Sequence, residues 1–147
     1  MMDAGILLKN NKRWKDLVSV CVVDDDQDTV AVFCEYLAIK DIEVLGKGYD
    51  GRAAVELYKK LKPDIVLLDV MMPEYDGFYA LKEIRKINPK AKVIMVTADL
   101  TSDTEKKLVE LKASAMIYKP YEIDSVIETI ERVSKENVVV SPPSTNN

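Results

Sequence analysis

Apolar residues recur along this chain with two spacings that alternate from residue 18 onward. Short continuous runs are typical of strands buried on both faces, whereas apolar residues three or four positions apart are typical of one face of a helix. In the first helical stretch Val30, Phe33, Cys34 and Leu37 share such a face. The predicted strands are residues 18–23, 42–45, 65–68, 93–96 and 116–118.

A helical stretch follows each predicted strand, and turn-forming residues separate the two. Asp50-Gly51 suits a helix start, Pro63 ends the second helix, and Asp76-Gly77 lies in the loop after the third strand. Strands that alternate with helices indicate an α/β fold, a five-stranded parallel sheet with helices on both faces. The third predicted helix is marked by Phe78, Leu81 and Ile84 and ends just before Pro89, and the others are approximately residues 27–40, 51–61, 102–111 and 122–136.

The composition fits one globular domain and narrows the classes of partner. The chain has 147 residues, a formal net charge of −4 and a pI near 5.0. An acidic protein lacks the basic field that nonspecific nucleic-acid binding needs, so we expect no direct nucleic-acid partner. No apolar run approaches the ~18 residues of a membrane span, so we expect no membrane partner and a cytoplasmic location. Residues 1–16, with a basic patch around Trp14, are interpreted as an N-terminal extension, and 137–147 as a disordered tail or truncated linker.

The two cysteines do not indicate a metal or redox site. Cys21 falls in a strand run and Cys34 on an apolar helix face, so both are expected to be buried thiols. The chain has no histidine and no Cys-x-x-Cys motif, which excludes the common zinc-binding patterns.

Polar side chains stand at the ends of four of the five predicted strands. The first strand ends in Asp24-Asp25-Asp26, the third in Asp69, the fourth in Thr97 and the fifth in Lys119. Because ligands of parallel α/β sheets bind outside the carboxyl ends of the strands, these groups are expected to converge if those four strands are neighbours.

These groups suit metal-assisted phosphoryl transfer. Clustered carboxylates repel one another unless a cation neutralises them, and Mg²⁺ prefers one or two carboxylates together with phosphate oxygens and water. Asp24 and Asp25 could hold the ion while Asp69 attacks as a nucleophile that forms an aspartyl phosphate. Lys119 would neutralise charge on the transferred group, and Thr97 would donate a hydrogen bond to one of its oxygens.

The same residues carry a resemblance to a known family. From about residue 17 to residue 133 the chain resembles the receiver domain of two-component response regulators, of the stand-alone, chemotaxis-regulator-like kind. We therefore interpret residues 17–136 as a receiver domain. The matching stretches are residues 22–26 (Val-Val-Asp-Asp-Asp), 67–73 (Leu-Leu-Asp-Val-Met-Met-Pro) with Asp76-Gly77, 96–98 (Val-Thr-Ala) and 118–120 (Tyr-Lys-Pro).

The resemblance implies a flavodoxin-like sheet of order 2-1-3-4-5, an order for which a chemotaxis receiver is itself the standard example. It also implies that Asp69 is the phosphoacceptor, that Lys119 pairs with the phosphoryl group, and that the bond between Lys119 and Pro120 is cis. Mg²⁺ (or Mn²⁺) would be bound by Asp24, Asp25, Asp69 and the main-chain carbonyl of Met71.

The resemblance further implies a signalling role. A sensor histidine kinase or histidine phosphotransfer protein would donate the phosphoryl group, and Thr97 would move toward it. The surface of the fourth helix, fifth strand and fifth helix, about residues 102–136, would then bind a downstream protein target. Such a domain catalyses its own phosphorylation and dephosphorylation and is not a turnover enzyme.

Several positions depart from the family pattern or tune it. Met116 stands where the family usually has Tyr or Phe, so a different form of switching is expected. Lys112 replaces the usual glycine before the fifth strand, so that turn is expected to differ. Met71 and Asp99 occupy the two positions that set the lifetime of the phosphoryl group in the family. Because Met71 cannot position a water and Asp99 can, we predict an intermediate lifetime.

Two alternatives from other classes stay open. The stretch from Asp26 to Val30 resembles the first motif of haloacid dehalogenase-like phosphatases, whose nucleophile would be Asp26. Its location on the first helical turn disfavours this, because acidic residues are favoured there in any case. The other alternative is a scaffold that keeps the fold without phosphorylation, which lack of Mg²⁺ binding would support.

Overall fold

A computed structural model describes residues 17–136. The proposed N-terminal extension (1–16) and the proposed tail (137–147) lie outside the described residues. Within 17–136, no helix is both long enough and apolar enough to cross a membrane.

Five strands alternate with five helices, as the apolar pattern predicts. The strands are β1 (Ser19–Val23), β2 (Glu43–Gly48), β3 (Ile65–Asp69), β4 (Lys92–Thr97) and β5 (Ala115–Tyr118). The helices are α1 (Gln27–Ile39), α2 (Gly51–Leu61), α3 (Gly77–Ile87), α4 (Ser102–Glu110) and α5 (Ile123–Lys135).

All five strands are parallel and lie in the order β2-β1-β3-β4-β5, which confirms the predicted flavodoxin-like sheet. The sheet separates two apolar cores. Residues alternate along β3: Ile65 and Leu67 pack with α1 and α5, whereas Val66 and Leu68 pack with α2, α3 and α4. Both cysteines are buried, as predicted.

Short polar side chains begin four of the five helices. Asp26, Asp50, Asp76 and Thr101 each accept a hydrogen bond from a backbone N–H of the first turn of α1, α2, α3 and α4 respectively. Such caps satisfy N–H groups that have no partner inside the helix. Each of these caps lies in a loop that follows a strand, so the caps fix the starts of the helices at the carboxyl edge of the sheet.

The predicted second strand, 42–45, is wrong at both ends. Ile42 precedes the strand, and β2 continues to Gly48, with Gly46 beside Cys21 and Gly48 beside Val23 in β1. A Cβ at Gly46 would lie 2.8 Å from a methyl carbon of Leu57 on α2. These glycines therefore let α2 approach the sheet closely and do not end the strand.

The turn before β5 is formed by a lysine in a conformation that suits glycine. Lys112 has a φ of 65°. Its N–H donates to the carbonyl of Val109, and the next N–H, of Ala113, donates to Leu108, which together close the end of α4. The expectation of a different turn is therefore wrong for the backbone: the residue differs, but the left-handed conformation that suits glycine is present.

Candidate functional site

Three carboxylates converge at the carboxyl edge of the sheet. Asp24 and Asp25 follow β1, Asp69 ends β3, and one oxygen of each lies within 4.8 Å of the others. Asp69 is 5% exposed and Asp24 is 9% exposed, whereas Asp25 is open to solvent. The convergence follows from the topology, since β1 and β3 are neighbours and end at the same edge.

Lys119 joins the two buried carboxylates. Its Nζ lies 3.2 Å from Oδ2 of Asp24 and 3.2 Å from Oδ1 of Asp69. Its backbone N–H donates to the carbonyl of Thr97 at 2.8 Å, which fixes it beside the end of β4. The peptide bond from Lys119 to Pro120 is cis, as predicted.

The electrostatics of the cluster are dominated by burial and like charge. Burial, reinforced by the nearby Asp24 carboxylate and opposed by Lys119, raises the pKa of Asp69 to about 6. Burial disfavours the ammonium of Lys119, but Asp69 and Asp24 outweigh that effect and raise its pKa. Within residues 17–136, three carboxylates thus lie beside the ammonium of Lys119, and the cluster has an excess of negative charge.

This donor set fits a hard divalent cation. The three side chains of the cluster offer carboxylate oxygens, which Mg²⁺ prefers. Asp25 is exposed, so an ion can reach the cluster from solvent. Asp24 is already oriented, because its Oδ1 accepts the N–H of Asp26 at 2.9 Å. The Met71 side chain is 61% exposed, and its thioether is not a ligand that Mg²⁺ prefers, so the main-chain carbonyl of Met71, which the resemblance implies as a ligand, stays a prediction.

Thr97 lies at the site but does not form a hydrogen bond with the carboxylate of Asp69. Its side chain is fully buried, and its hydroxyl accepts the N–H of Asp99 at 3.0 Å. Among the described residues the hydroxyl makes no hydrogen bond to Asp69. As the acceptor in the bond from Asp99, it keeps its own proton available for donation to another group.

Both carboxylate oxygens of Asp99 are engaged. Oδ1 accepts the N–H of Thr101 at 2.9 Å, and Oδ2 accepts the hydroxyl of Thr104 at 2.7 Å. The Thr104 and Thr101 hydrogen bonds lower the pKa of Asp99. The carboxylate predicted to position a water also holds the loop between β4 and α4.

The backbone around Asp69 leaves no room for a side chain at the start of α3. A Cβ on Gly77 would lie 2.4 Å from the carbonyl oxygen of Asp69. The N–H of Gly77 donates to the carbonyl of Val70 at 2.8 Å, which closes the loop tightly. Gly77 therefore lets α3 begin directly behind the phosphoacceptor candidate.

Tyr121 is a site residue that the sequence reasoning missed. Its ring packs edge-on against Phe33 with centroids 5.8 Å apart, and it lines the same depression as Asp24 and Asp69. Burial raises the pKa of its phenol; the charge of Lys119 opposes this and the two carboxylates reinforce it. Its position two residues after Lys119 was the only signal in the sequence.

Three further positions that the sequence analysis singled out lie outside the carboxylate cluster. Met116 is partly buried and packs against the core on the α2–α3 side, and Tyr118 is partly exposed on β5. Asp26 is exposed and caps α1, accepting the N–H groups of Asp28 and Thr29 at 3.1 and 3.3 Å. These hydrogen bonds, that to Thr29 first, lower the pKa of Asp26. Because Asp26 is not in the carboxylate cluster, its role as a phosphatase nucleophile is disfavoured.

Comparison with known proteins agrees with this geometry. Residues 20–131 match the model of the response regulator receiver domain. "Chemotaxis protein CheY" of Thermotoga maritima is 39% identical over 116 residues, covering 79% of this chain and 97% of the relative. "Protein CcdB" of Bacillus subtilis is 39% identical over 117 residues, covering 80% of this chain and 98% of the relative. The solved CheX–CheY–BeF₃–Mg²⁺ complex of Borrelia burgdorferi superimposes with a TM-score of 0.76 at 29% identity, covering 81% of this chain and 90% of that one. The chain therefore belongs to the family of response regulator receiver domains of two-component signalling.

Proposed function

We propose that Asp69 accepts a phosphoryl group from a phosphohistidine and that the resulting aspartyl phosphate is the signal. The observation that carries the proposal is the position of Lys119, whose ammonium contacts Asp69 beside a cluster of three carboxylates. This arrangement combines a nucleophile, a fixed positive charge and a set of oxygen ligands for a cation, which is what phosphoryl transfer requires.

Asp24, Asp25 and Asp69 would hold Mg²⁺ or Mn²⁺, with the Met71 carbonyl as a further ligand. The ion would supply positive charge that stabilises the transferring phosphoryl oxygens. An oxygen of Asp69 attacks phosphorus, the bond from phosphorus to the histidine nitrogen breaks, and the histidine leaves with that electron pair. Lys119 neutralises charge on the transferred group, and Thr97 donates its hydroxyl to one of the oxygens.

The phosphodonor would be a sensor histidine kinase or a histidine phosphotransfer protein. An apolar surface for such a partner lies beside the site: Val32, Tyr36 and Ile39 project from one face of α1 and are about half exposed. The groove along this face is lined in part by Phe33 and Tyr121, which also line the depression that holds Asp69. A protein seated on α1 would therefore present its histidine to Asp69.

The output would be binding of a downstream protein target through α4, β5 and α5. Apolar side chains are exposed at or near this surface, among them Leu100, Val109 and Tyr118. The domain would catalyse its own phosphorylation and the loss of its phosphoryl group, with Met71 and Asp99 setting the lifetime, and would not turn over external substrates.

Intact mass spectrometry after incubation with acetyl phosphate tests the proposal directly. Wild-type protein with Mg²⁺ should gain the mass of one phosphoryl group, and a chelator should abolish the gain. Asp69→Asn should show no adduct, whereas Asp26→Asn should keep it.

Each other outcome has a defined meaning. An adduct that survives Asp69→Asn would contradict the assignment of the nucleophile, and its loss in Asp26→Asn would favour the phosphatase alternative. Folded wild-type protein that neither binds Mg²⁺ nor takes up phosphoryl would favour the scaffold alternative.

A further inference from the structure

A groove lies between α1 and β2, an edge strand of the sheet. The apolar part of its lining includes Ala31, Ala38, Ile42 and Val44. Leu17, the first described residue, lines the same groove. The chain that precedes Leu17 therefore joins the described domain at this groove, which we call the α1–β2 groove.

The charged side chains of the α1–β2 groove are mainly carboxylates. Glu35, Asp41 and Glu43 line it together with Lys47. Within residues 17–136 none of the three carboxylates forms a salt bridge. The groove therefore has an excess of negative charge that the described residues do not neutralise.

One oxygen of Asp41 lacks a hydrogen-bond donor in the described part of the chain. Oδ2 of Asp41 is buried and accepts no hydrogen bond there. The N–H of Asp41 donates to the carbonyl of Ala38 at 3.1 Å, which fixes this residue at the end of α1. Because a buried carboxylate oxygen without a donor is costly, native proteins normally supply one. The oxygen therefore indicates a donor from outside residues 17–136.

The register of the first two strands leads the chain to Asp41. Ser19 is paired with Glu43, and the N–H of Glu43 donates to the carbonyl of Val18 at 2.9 Å. Because parallel neighbours advance together along the sheet, the residues just before Leu17 reach the level of Asp41. The segment next to the missing donor is thus the one that enters β1.

We propose that residues 9–16, which lie outside the described residues, bind in the α1–β2 groove. Their sequence, Lys-Asn-Asn-Lys-Arg-Trp-Lys-Asp, contains four cations, one carboxylate and one tryptophan. The cations complement the carboxylates of the groove and supply donors for Asp41, and Trp14 complements the apolar lining. The proposal goes beyond the proposed function, because no residue of this groove belongs to the carboxylate cluster around Asp69.

Length and charge both favour this groove. About 10 Å separates Ala31 from Ala38 along the axis of α1. An extended segment of eight residues spans up to about 26–29 Å, which is enough to turn back and follow the groove. Leu17 also lines a second groove, but there two carboxylates face a larger number of cations, Lys62, Lys90, Lys92 and Lys135. That positive charge repels a basic segment.

Trp14 is the single tryptophan of the chain, so its fluorescence reports on residues 9–16 in the whole protein. Bound Trp14 should emit at a shorter wavelength than in urea-unfolded protein and should be protected from quenching by acrylamide. Time-resolved fluorescence separates protected from accessible tryptophan and gives the ratio of bound to free segment. We expect Glu35→Gln and Glu43→Gln each to lower this ratio by about two- to fivefold, as loss of one solvent-exposed ion pair predicts.

Glu110→Gln provides the matched control, because it removes the same charge from an exposed position on α4, on the other face of the sheet. It should leave the ratio unchanged. Equal effects of all three variants, or no effect of the two groove variants, would overturn the proposal. So would a Trp14 that acrylamide quenches equally in folded and unfolded protein. Protection that increases with protein concentration would assign the groove to a second copy of the chain and would also overturn it.

An exchange of charges between the groove and the segment tests their direct pairing. Lys12→Glu combined with Arg13→Glu should abolish the protection of Trp14, and Glu35→Lys combined with Glu43→Lys should do the same. The four substitutions together keep the net charge of −4 and should restore protection. Glu35 and Glu43 are exposed, so the variants should fold, which circular dichroism checks. Folded protein with all four substitutions and an unprotected Trp14 would overturn the proposal.

Discussion

At the scale of single residues, the surroundings that suit Asp69 to its proposed function reduce the stability of the fold at neutral pH. Its carboxylate is buried beside Asp24, and these two effects raise its pKa to about 6 despite the contact with Lys119. A side chain whose folded pKa exceeds its unfolded value stabilises the fold at low pH. That contribution is complete below about 3.8, the ordinary pKa of aspartate, and is lost as pH rises through about 6.

Asp69→Asn should therefore raise the free energy of unfolding at pH 7 in metal-free buffer by about 3 kcal/mol, because the amide cannot ionise. The gain should vanish near pH 4, where wild-type Asp69 is protonated. Urea unfolding followed by circular dichroism at several pH values measures the difference.

Glu128→Gln provides the control, because it removes a carboxylate from the exposed side of α5, away from the site. It should leave the free energy of unfolding almost unchanged across the same pH range. A wild type as stable as Asp69→Asn at pH 7 would show that Lys119 fully compensates the buried charge. Added Mg²⁺ should stabilise wild type more than the variant, since the variant lacks one carboxylate ligand.

At the scale of elements, the connection from α4 to β5 is made by a residue that is not suited to its backbone. Lys112 adopts a φ of 65°, a region in which a Cβ is unfavourable and glycine is at ease. Its carbonyl accepts hydrogen bonds from the guanidinium of Arg85, and this contact does not depend on the lysine side chain.

Lys112→Gly should stabilise the protein by about 0.5–1 kcal/mol, because relief of the left-handed strain outweighs the extra entropy of unfolded glycine. Chemical denaturation with an unchanged m-value would establish the effect. Lys106→Gly, at an exposed position inside α4, should instead destabilise by about 1 kcal/mol. Destabilisation by both variants would mean that the left-handed backbone is absent.

At the scale of elements, the sequence predicted the features that depend on residues adjacent in the chain. Helix starts at Asp50 and Asp76 are marked by side chains that cap the next turn, so their boundaries could be predicted. The extent of β2 could not, because Gly46 is explained only by the closeness of Leu57 on another element.

The residues of the site also divide into those that the sequence could predict and those that it could not. Asp24, Asp69, Thr97 and Lys119 could be predicted, since each ends or directly follows an apolar run and the topology brings such ends together. The engagement of Asp99 by Thr104 could not, because it depends on the path of the loop before α4. The packing of Tyr121 on Phe33 could not either, since it joins parts of the chain far apart in sequence.

At the scale of the whole molecule, Asp69, the proposed phosphoacceptor, lies beside two surfaces with different proposed partners. The α1 surface is continuous with the depression beside Asp69 through Phe33 and Tyr121. The α4–β5–α5 surface is connected to the site through Thr97 and Asp99. Since parallel strands place both surfaces beside one edge of the sheet, phosphorylation of Asp69 would connect the two proposed binding events.

The two proposed surfaces predict different effects on phosphoryl transfer when one charge is placed on each. Val32 on α1 is 54% exposed and Val109 on α4 is 43% exposed, so glutamate at either position should be tolerated by the fold. Val32→Glu should slow phosphoryl transfer from a histidine kinase by at least about tenfold, because an apolar contact of the complex acquires a desolvated charge. Val109→Glu should leave that rate unchanged, and both variants should react with acetyl phosphate as wild type does.

Rapid-quench measurement of transfer from a radiolabelled kinase gives the rate of phosphoryl transfer, and intact mass spectrometry gives the rate of reaction with acetyl phosphate. Equal slowing by both variants would place the kinase on α4 as well, whereas slow reaction of Val32→Glu with acetyl phosphate would mean that α1 acts on the chemistry of Asp69 and not on docking.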